Sequence, residues 1–287
     1  MPARVWQALV GLIALLLVAV VGLDQWQARR GEASLFALSW PARPSLAPPS
    51  GERRPAVETL VPSRAPAGPR VAVVVDQMGG RREVFEALRD LRRPVTLAML
   101  PALPQAAPIA REASRSGMEV LLDLPMEPYR YPQLDPGPGA LLMSMPHDEI
   151  RRVVVRHLEA LPGVVGVTNY MGSRLTEDRA RMRAILEVLA ARRLFLIDAY
   201  ASNLSVAYDE AKEIGLRAAR RQIIVDVGRG ERGERAGWDE VAGWAERRGH
   251  VIVMAGGHPL TARVLREYVP RWEARGIRLV PVSELVR

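Results

Sequence analysis

Six polar residues follow short apolar runs of the sequence, each at the point where a run ends. They are Asp76, Asp123, Asn169, Asp198, Asp226 and His258. Carboxylates and imidazoles can transfer protons or bind metal ions, so these residue types could do chemistry if they lay together. A single Asp at the end of a strand is explained by turn formation or helix capping. Four Asp and one His in the same position relative to their runs favour a functional site.

The elements that would position these residues alternate along the chain from Val71 to the C-terminus. Eight apolar runs are separated by segments with helical periodicity, which is typical of parallel strands buried on both faces. The runs are Val71–Val75, Val95–Leu100, Met118–Leu122, Val164–Val167, Leu194–Ile197, Ile223–Val225, Val251–Ala255 and Ile277–Val280. For 217 residues this pattern predicts a complete or deformed β/α barrel rather than an open doubly wound sheet. In such barrels the carboxyl ends of the strands form the active site, so the four Asp and His258 should converge there.

Tyrosines lie in the loops of the same predicted edge. Tyr129 and Tyr131 follow the third run, whereas Tyr170 and Tyr200 follow the fourth and fifth. A flat ring with a polar tip suits the binding of sugars, although ordinary loop packing explains some of these residues.

The first 70 residues differ in character from the rest. Val5–Leu23 contains nineteen residues with Gln7 as the only polar side chain, which is long enough to cross a bilayer. We expect residues 1–30 to form an uncleaved anchor with its N-terminus in the cytoplasm, and residues 31–70, rich in proline, to form an extended linker. This predicts a single-pass inner-membrane protein with residues 71–287 as a periplasmic domain. Secretion after cleavage of a signal peptide is the alternative.

Composition excludes several classes of site. The chain has no cysteine, which excludes disulfides, thiolate zinc sites and a cysteine nucleophile. Its net charge is +8, but residues 1–70 contain eight Arg against four acidic residues, and the remaining residues contain 32 basic against 28 acidic side chains. Because the predicted domain is nearly balanced, we expect no nucleic-acid partner.

Six segments occur in the order found in a known family. They are VAVVVDQMG (71–79), LLDLPMEP (121–128), DPGPGALL (135–142), TNYMGSRLT (168–176), LFLIDAYASNLSVA (194–207) and GGHPLTARVL (256–265). Together they resemble the divergent polysaccharide deacetylases, a branch of the rhizobial-nodulation-type deacetylases with a deformed β/α barrel. The resemblance covers residues 71–287. It implies hydrolysis of N-acetyl groups on a glycan such as peptidoglycan, by a water bound to a zinc-type divalent metal.

The resemblance also assigns residues. Asp76, Asp198 and His258 match catalytic positions, and Asp76, Asp123 and His258 are the candidate metal ligands. Glycan contacts are expected from Tyr129, Tyr131, Asn169, Tyr170, Ser173 and Arg174.

Three expected metal ligands have changed. Gln77 replaces the second Asp of an Asp pair, Asp123 replaces a His, and Tyr170 replaces another His. A neutral amide and a phenol are poor ligands at neutral pH, which predicts weak or lost metal binding.

Two functional hypotheses follow. The first is a carbohydrate-active protein with a glycan cleft and little or no hydrolysis, or its non-catalytic extreme, a glycan-binding or structural envelope protein. The second is a hydrolase that uses a metal held by Asp76, Asp123 and His258, or paired carboxylates without a metal.

Overall fold

The computed structural model describes residues 68–225 and 230–287. The predicted span Val5–Leu23, the predicted linker as far as residue 67, and Asp226 lie outside these ranges. Among the helices of the two described ranges, none has the length and apolar character needed to cross a bilayer. On this finding we correct the predicted localisation: a single-pass inner-membrane protein is not supported, and we withdraw it.

Within the described residues, nine parallel strands form one curled sheet. In chain order they are β1 (Arg70–Met78), β2 (Thr96–Met99), β3 (Val120–Met126), β4 (Val164–Met171), β5 (Phe195–Asp198), β6 (Ala218–Arg220), β7 (Ile223–Val225), β8 (His250–Gly256) and β9 (Arg278–Leu279). Their spatial order is β6-β5-β4-β3-β2-β1-β8-β7, with β9 beside the start of β1. Among the described residues no ladder joins β6 to β7, so the barrel is a deformed, open one.

In residues 68–225 and 230–287, seven α-helices connect these strands. They are α1 (Arg82–Arg89), α2 (Ala106–Arg115), α3 (His147–Ala160), α4 (Arg179–Ala191), α5 (Ala207–Glu213), α6 (Gly230–Arg248) and α7 (Pro259–Ala274). Single turns of 3₁₀ helix lie at Leu175–Glu177 and Val282–Leu285. Asp178 caps the start of α4 by accepting a hydrogen bond from the N–H of Arg181.

The sheet has an apolar core on each face. On β1, Val71, Val73 and Val75 pack towards the helices, whereas Ala72 and Val74 belong to a second cluster inside the curl of the sheet. The C-terminal segment contributes to this inner cluster with Val280, Val282, Leu285 and Val286. Since side chains alternate along a strand, Asp76 is the next residue on the inner face of β1, and Asp123 follows Leu121 in the same way on β3.

All eight predicted runs contain a strand, which confirms the parallel α/β class. The strand that the sequence did not predict is β6, whose residues Ala218, Ala219 and Arg220 lack the β-branched character that marks the other strands.

Candidate active site

One residue, Gln77, joins the two carboxylates at the carboxyl end of the sheet. Its backbone N–H donates to Oδ2 of Asp123 at 2.9 Å, and its side-chain Nε2 donates to Oδ1 of Asp76 at 3.1 Å. Gln77 has a φ of 56°, in the left-handed region that non-glycine residues rarely adopt. This conformation turns its N–H out of the β1 ladder and towards β3.

Burial shifts the protonation equilibria of this carboxylate pair. Asp123 is fully buried, and burial followed by the nearby charge of Asp76 raises its pKa well above the usual value. Burial likewise raises the pKa of Asp76 to about 6, although the hydrogen bond from Gln77 and the positive charge of Arg221 act in the opposite direction. The pKa of the Tyr170 phenol is also raised, first by burial and then by Asp123 and Asp76. The surroundings therefore favour the neutral forms of all three groups.

Arg221 provides positive charge beside this cluster. Burial lowers its pKa, while the carboxylates of Asp198 and Asp76 raise it. One guanidinium nitrogen donates to the carbonyl of Tyr200 at 3.2 Å, and its buried Nε has no partner in the described part of the chain. Sequence reasoning missed Arg221 because it follows β6, the strand that was not predicted.

A cleft of about 430 Å³ opens beside Asp76. It is lined by the loop from Asp76 to Arg81, by Ile224 and Val225 of β7, and by Gly256, Gly257 and His258 after β8. His258 is exposed and caps α7, since its Nδ1 accepts a hydrogen bond from the N–H of Leu260 at 3.2 Å. The structure thus brings Asp76 and His258 to one cleft, as the sequence predicted, with Asp123 hydrogen-bonded nearby.

Asp198 does not line this cleft and is fully buried among its own partners. It accepts hydrogen bonds from the N–H of Tyr200 at 2.8 Å, the hydroxyl of Ser205 at 3.2 Å and Nε of Arg220 at 3.2 Å. These contacts hold the loop after β5 against the end of β6. A catalytic role for Asp198 stays a prediction.

The side chain of Asn169, which was predicted to contact a glycan, is hydrogen-bonded to the backbone through both ends of its amide. Its amide donates to the carbonyl of Met171 at 2.9 Å and accepts from the N–H of Ala199 at 2.9 Å, joining the ends of β4 and β5. Its glycan contact stays a prediction, as do those of Tyr131 and Tyr170, both of which are partly exposed at the same edge.

Arg174 forms an ion pair with a buried carboxylate that sequence reasoning missed. Its guanidinium lies 2.7 Å from Oε1 of Glu127, whose other oxygen accepts the N–H of Met143 at 2.8 Å. Glu127 therefore ties the loops after β3 and β4 together. The available signal was a second acidic residue, four positions after Asp123, in the mainly apolar segment LLDLPMEP.

Tyr129 and Ser173 also connect loops at this edge. The N–H of Tyr129 donates to the hydroxyl oxygen of Ser173 at 3.2 Å, and the Tyr129 hydroxyl donates to the carboxylate of Glu177. The hydroxyl of Ser202 donates to the other oxygen of the same carboxylate. Three loops, those after β3, β4 and β5, thus meet at Glu177.

Comparison with known proteins now identifies the family. Residues 73–286 match the family model described as divergent polysaccharide deacetylase. The chain belongs to this family.

Similar proteins include YibQ of Escherichia coli K12, an uncharacterized protein that is 29% identical over 200 residues. That alignment covers 70% of this chain and 62% of YibQ. An uncharacterized protein of Haemophilus influenzae is 26% identical over 197 residues, which is 69% of this chain and 70% of that one. The crystal structure of the uncharacterized protein ATU2773 from Agrobacterium tumefaciens C58 is similar, with a TM-score of 0.73 at 28% identity, covering 78% of this chain and 92% of the other.

The resemblance to metal-dependent deacetylases raises the question of whether this site fits a metal. In the described part of the chain, no three His, Asp or Glu side chains are grouped so that they could hold one. The predicted ligands already have other hydrogen-bond partners: one oxygen of Asp76 and one of Asp123 accept N–H groups of Gln77, and Nδ1 of His258 caps α7. The residues present therefore do not fit a zinc-type ion.

Removing the Asp76 carboxylate should stabilise the protein at high pH. The pKa of Asp76 is about 6 in the folded state, compared with 3.8 for an ordinary aspartate such as that of the unfolded chain. The folded state therefore binds the proton more tightly than the unfolded state does. Proton binding by Asp76 therefore contributes most to the free energy of unfolding below pH 4. This contribution falls between pH 4 and 6 and stays low above pH 6. We expect Asp76→Asn to raise the free energy of unfolding by about 1–3 kcal/mol at pH 8 and by much less at pH 4.

Urea denaturation of the full chain at both pH values measures this difference. The matched control is Asp90→Asn, whose carboxylate is exposed and should change stability little at either pH. A change in unfolding free energy for Asp76→Asn that does not depend on pH would contradict the assigned shift.

Glu127 should be important for stability. Glu127→Ala leaves the N–H of Met143 and the Arg174 guanidinium without their partner, so we expect a loss of about 2–4 kcal/mol in the free energy of unfolding. The control, Glu187→Ala, removes an exposed ion pair with Arg151 and should cost less than about 1 kcal/mol. Equal losses in the two variants would show that Glu127 is an ordinary surface carboxylate.

Proposed function

We propose that this member of the divergent polysaccharide deacetylases binds N-acetylated glycans at the carboxyl ends of its strands, with little or no metal-dependent hydrolysis. The observation that carries the proposal is the position of Gln77. Its backbone and side-chain N–H groups each donate to one oxygen of Asp123 and of Asp76, the two carboxylates that are the candidate metal ligands of this chain. The family supports a polysaccharide ligand, and the motif resemblance supports an N-acetylated one.

The cleft supports retained binding. It remains open beside Asp76 and presents the imidazole of His258, the exposed side chain of Ile224 and backbone at Gly256 and Gly257. This mixture of a few polar groups with apolar surface is typical of small-ligand sites.

Hydrolysis by a pair of carboxylates without a metal is less well supported. A general acid or base must come within hydrogen-bonding reach of the substrate. Asp123 is fully buried and does not line the cleft, so Asp76 is the one carboxylate of this pair that a ligand there can reach.

Glycan binding should depend on the cleft. We expect the full chain to bind tetra- and hexasaccharides of N-acetylglucosamine saturably in isothermal titration calorimetry, and Asp76→Ala to weaken binding at least tenfold by removing a hydrogen-bond acceptor. Asp90→Ala, at the exposed end of α1, is the control and should bind as the wild type does. No saturable binding by the wild type would favour a purely structural protein.

A metal site should appear when the three changed positions are restored together. We expect Gln77→Asp, Asp123→His and Tyr170→His in one chain to bind about one zinc ion, because the substitutions supply imidazoles and remove the N–H donor from Asp76. Elemental analysis and acetate release from the same oligosaccharides measure the gain. Stoichiometric metal in the wild type purified without chelator, lost in Asp76→Ala plus His258→Ala, would overturn the proposal and favour a metal-dependent hydrolase.

A further inference from the structure

Two large apolar side chains at the carboxyl edge of the sheet are more than half exposed and share one anchor. Tyr129, after β3, is 58% exposed, and Leu204, after β5, is 64% exposed. Neither is needed to fill the core.

The anchor is the carboxylate of Glu177, in the turn after β4. One of its oxygens accepts the hydroxyl of Tyr129, and the other accepts the hydroxyl of Ser202. The oxygen of Ser202 in turn accepts the N–H of Leu204 at 3.1 Å. Glu177 therefore holds the phenol of Tyr129 directly and is linked through Ser202 to the backbone of Leu204.

Tyr129 is held at both ends of its length. Its backbone N–H donates to Ser173 at 3.2 Å, and its phenol donates to Glu177, while the ring between them remains exposed. An exposed side chain fixed in this way has already lost its conformational entropy, so a ligand that contacts the ring does not incur that cost on binding. A fixed aromatic face with a polar tip provides apolar contact together with a polar rim.

Tyr129 and Leu204 lie at the same edge of the sheet as the cleft beside Asp76, so an extended ligand would reach both. The turn that holds Glu177 follows β4, which lies three strands from β1, or roughly 14 Å at the usual spacing of parallel strands. Both features lie at the carboxyl edge of the same sheet. A chain of several sugar units would extend from one to the other.

We propose that Tyr129 and Leu204 form a platform for the apolar face of a neutral sugar ring, and that Glu177 is the residue that positions it. The hydrogen bonds from Ser202 and Tyr129 lower the pKa of Glu177, so its negative charge persists at neutral pH and disfavours a ring that carries a carboxylate. The proposal rests on the proposed function, because it names the glycan class and a second contact surface for the same edge.

Binding measurements on the full chain test the platform. With the hexasaccharide of N-acetylglucosamine as probe, we expect Tyr129→Ala to raise the dissociation constant at least tenfold and Leu204→Ala to raise it less. Glu177→Ala should weaken binding severalfold, whereas Glu177→Gln keeps an acceptor and should restore most of the affinity. Val165→Ala removes an exposed apolar side chain near the start of β4, at the opposite end of the strand, and is the matched control.

A spectroscopic measurement tests the positioning role without a glycan. The absorbance titration of the wild type minus that of Tyr129→Phe reports the phenol of Tyr129, whose pKa is raised mainly by its hydrogen bond to Glu177. We expect this pKa to fall towards its ordinary value in Glu177→Ala. Tyr129→Phe and Glu177→Ala should also be non-additive in glycan affinity, since both break the same contact.

The outcomes separate the two proposals. Failure of the wild type to bind the hexasaccharide overturns the proposed function. Wild-type binding that Tyr129→Ala leaves unchanged overturns the platform alone, and points to another ligand, such as an apolar segment of a protein, for this surface. Loss of binding in Tyr129→Ala with no change in Glu177→Ala overturns the positioning role of Glu177. Tighter binding of an oligosaccharide that carries carboxylates overturns the preference for a neutral ring.

Discussion

The hydrogen bonds of Gln77 determine what the carboxyl end of this sheet can do. Asp76 and Asp123 stand on β1 and β3, with β2 between them, and Gln77 connects them through its backbone and its side chain. Two carboxylates placed close together in a buried setting must be balanced by a cation, by donors or by protons. Here the balance comes from the N–H groups of Gln77, from the guanidinium of Arg221 and from raised pKa values. The balance is incomplete, because Oδ1 of the buried Asp123 has no hydrogen-bond partner in the described part of the chain.

The rest of the fold supports this arrangement with an apolar cluster on the inner face of the sheet. Below Asp76, the inner residues of β1 are Ala72 and Val74, and the C-terminal segment fills the remaining space with aliphatic side chains. Left-handed φ values at Gln77, Met171 and Tyr200 turn the chain at the ends of β1, β4 and β5. Such conformations are costly for non-glycine residues and persist where surrounding contacts hold them, as at functional sites.

The sequence predicted the elements better than the contacts. Hydrophobic periodicity located eight strands, and the position of Asp76 and His258 after their strands placed both at one cleft. It could not predict the partners of these groups, because those partners lie far away in sequence: Gln77 and Asp123 are 46 residues apart, and Tyr129 and Glu177 are 48 apart. Glu177 is an ordinary acidic residue near a helix start when read locally. Its importance becomes visible only when three loops meet.

Gln77, Asp123 and Tyr170, where the sequence departs from the pattern that the resemblance implies, lie in one cluster: Gln77 is hydrogen-bonded to Asp123, and Asp123 helps to raise the pKa of Tyr170. Restoring a carboxylate at position 77 alone would place a third acidic group beside two whose ionisation is already disfavoured by burial, and it would remove the donor that Asp76 now has. Restoring an imidazole at position 123 alone would leave the backbone N–H of Gln77 without its carboxylate acceptor. A substitution at position 77 or 123 alone would therefore remove hydrogen bonds of the cluster. Hydrogen bonds from Gln77 and coordination of a cation are alternative ways to offset the charge of Asp76 and Asp123.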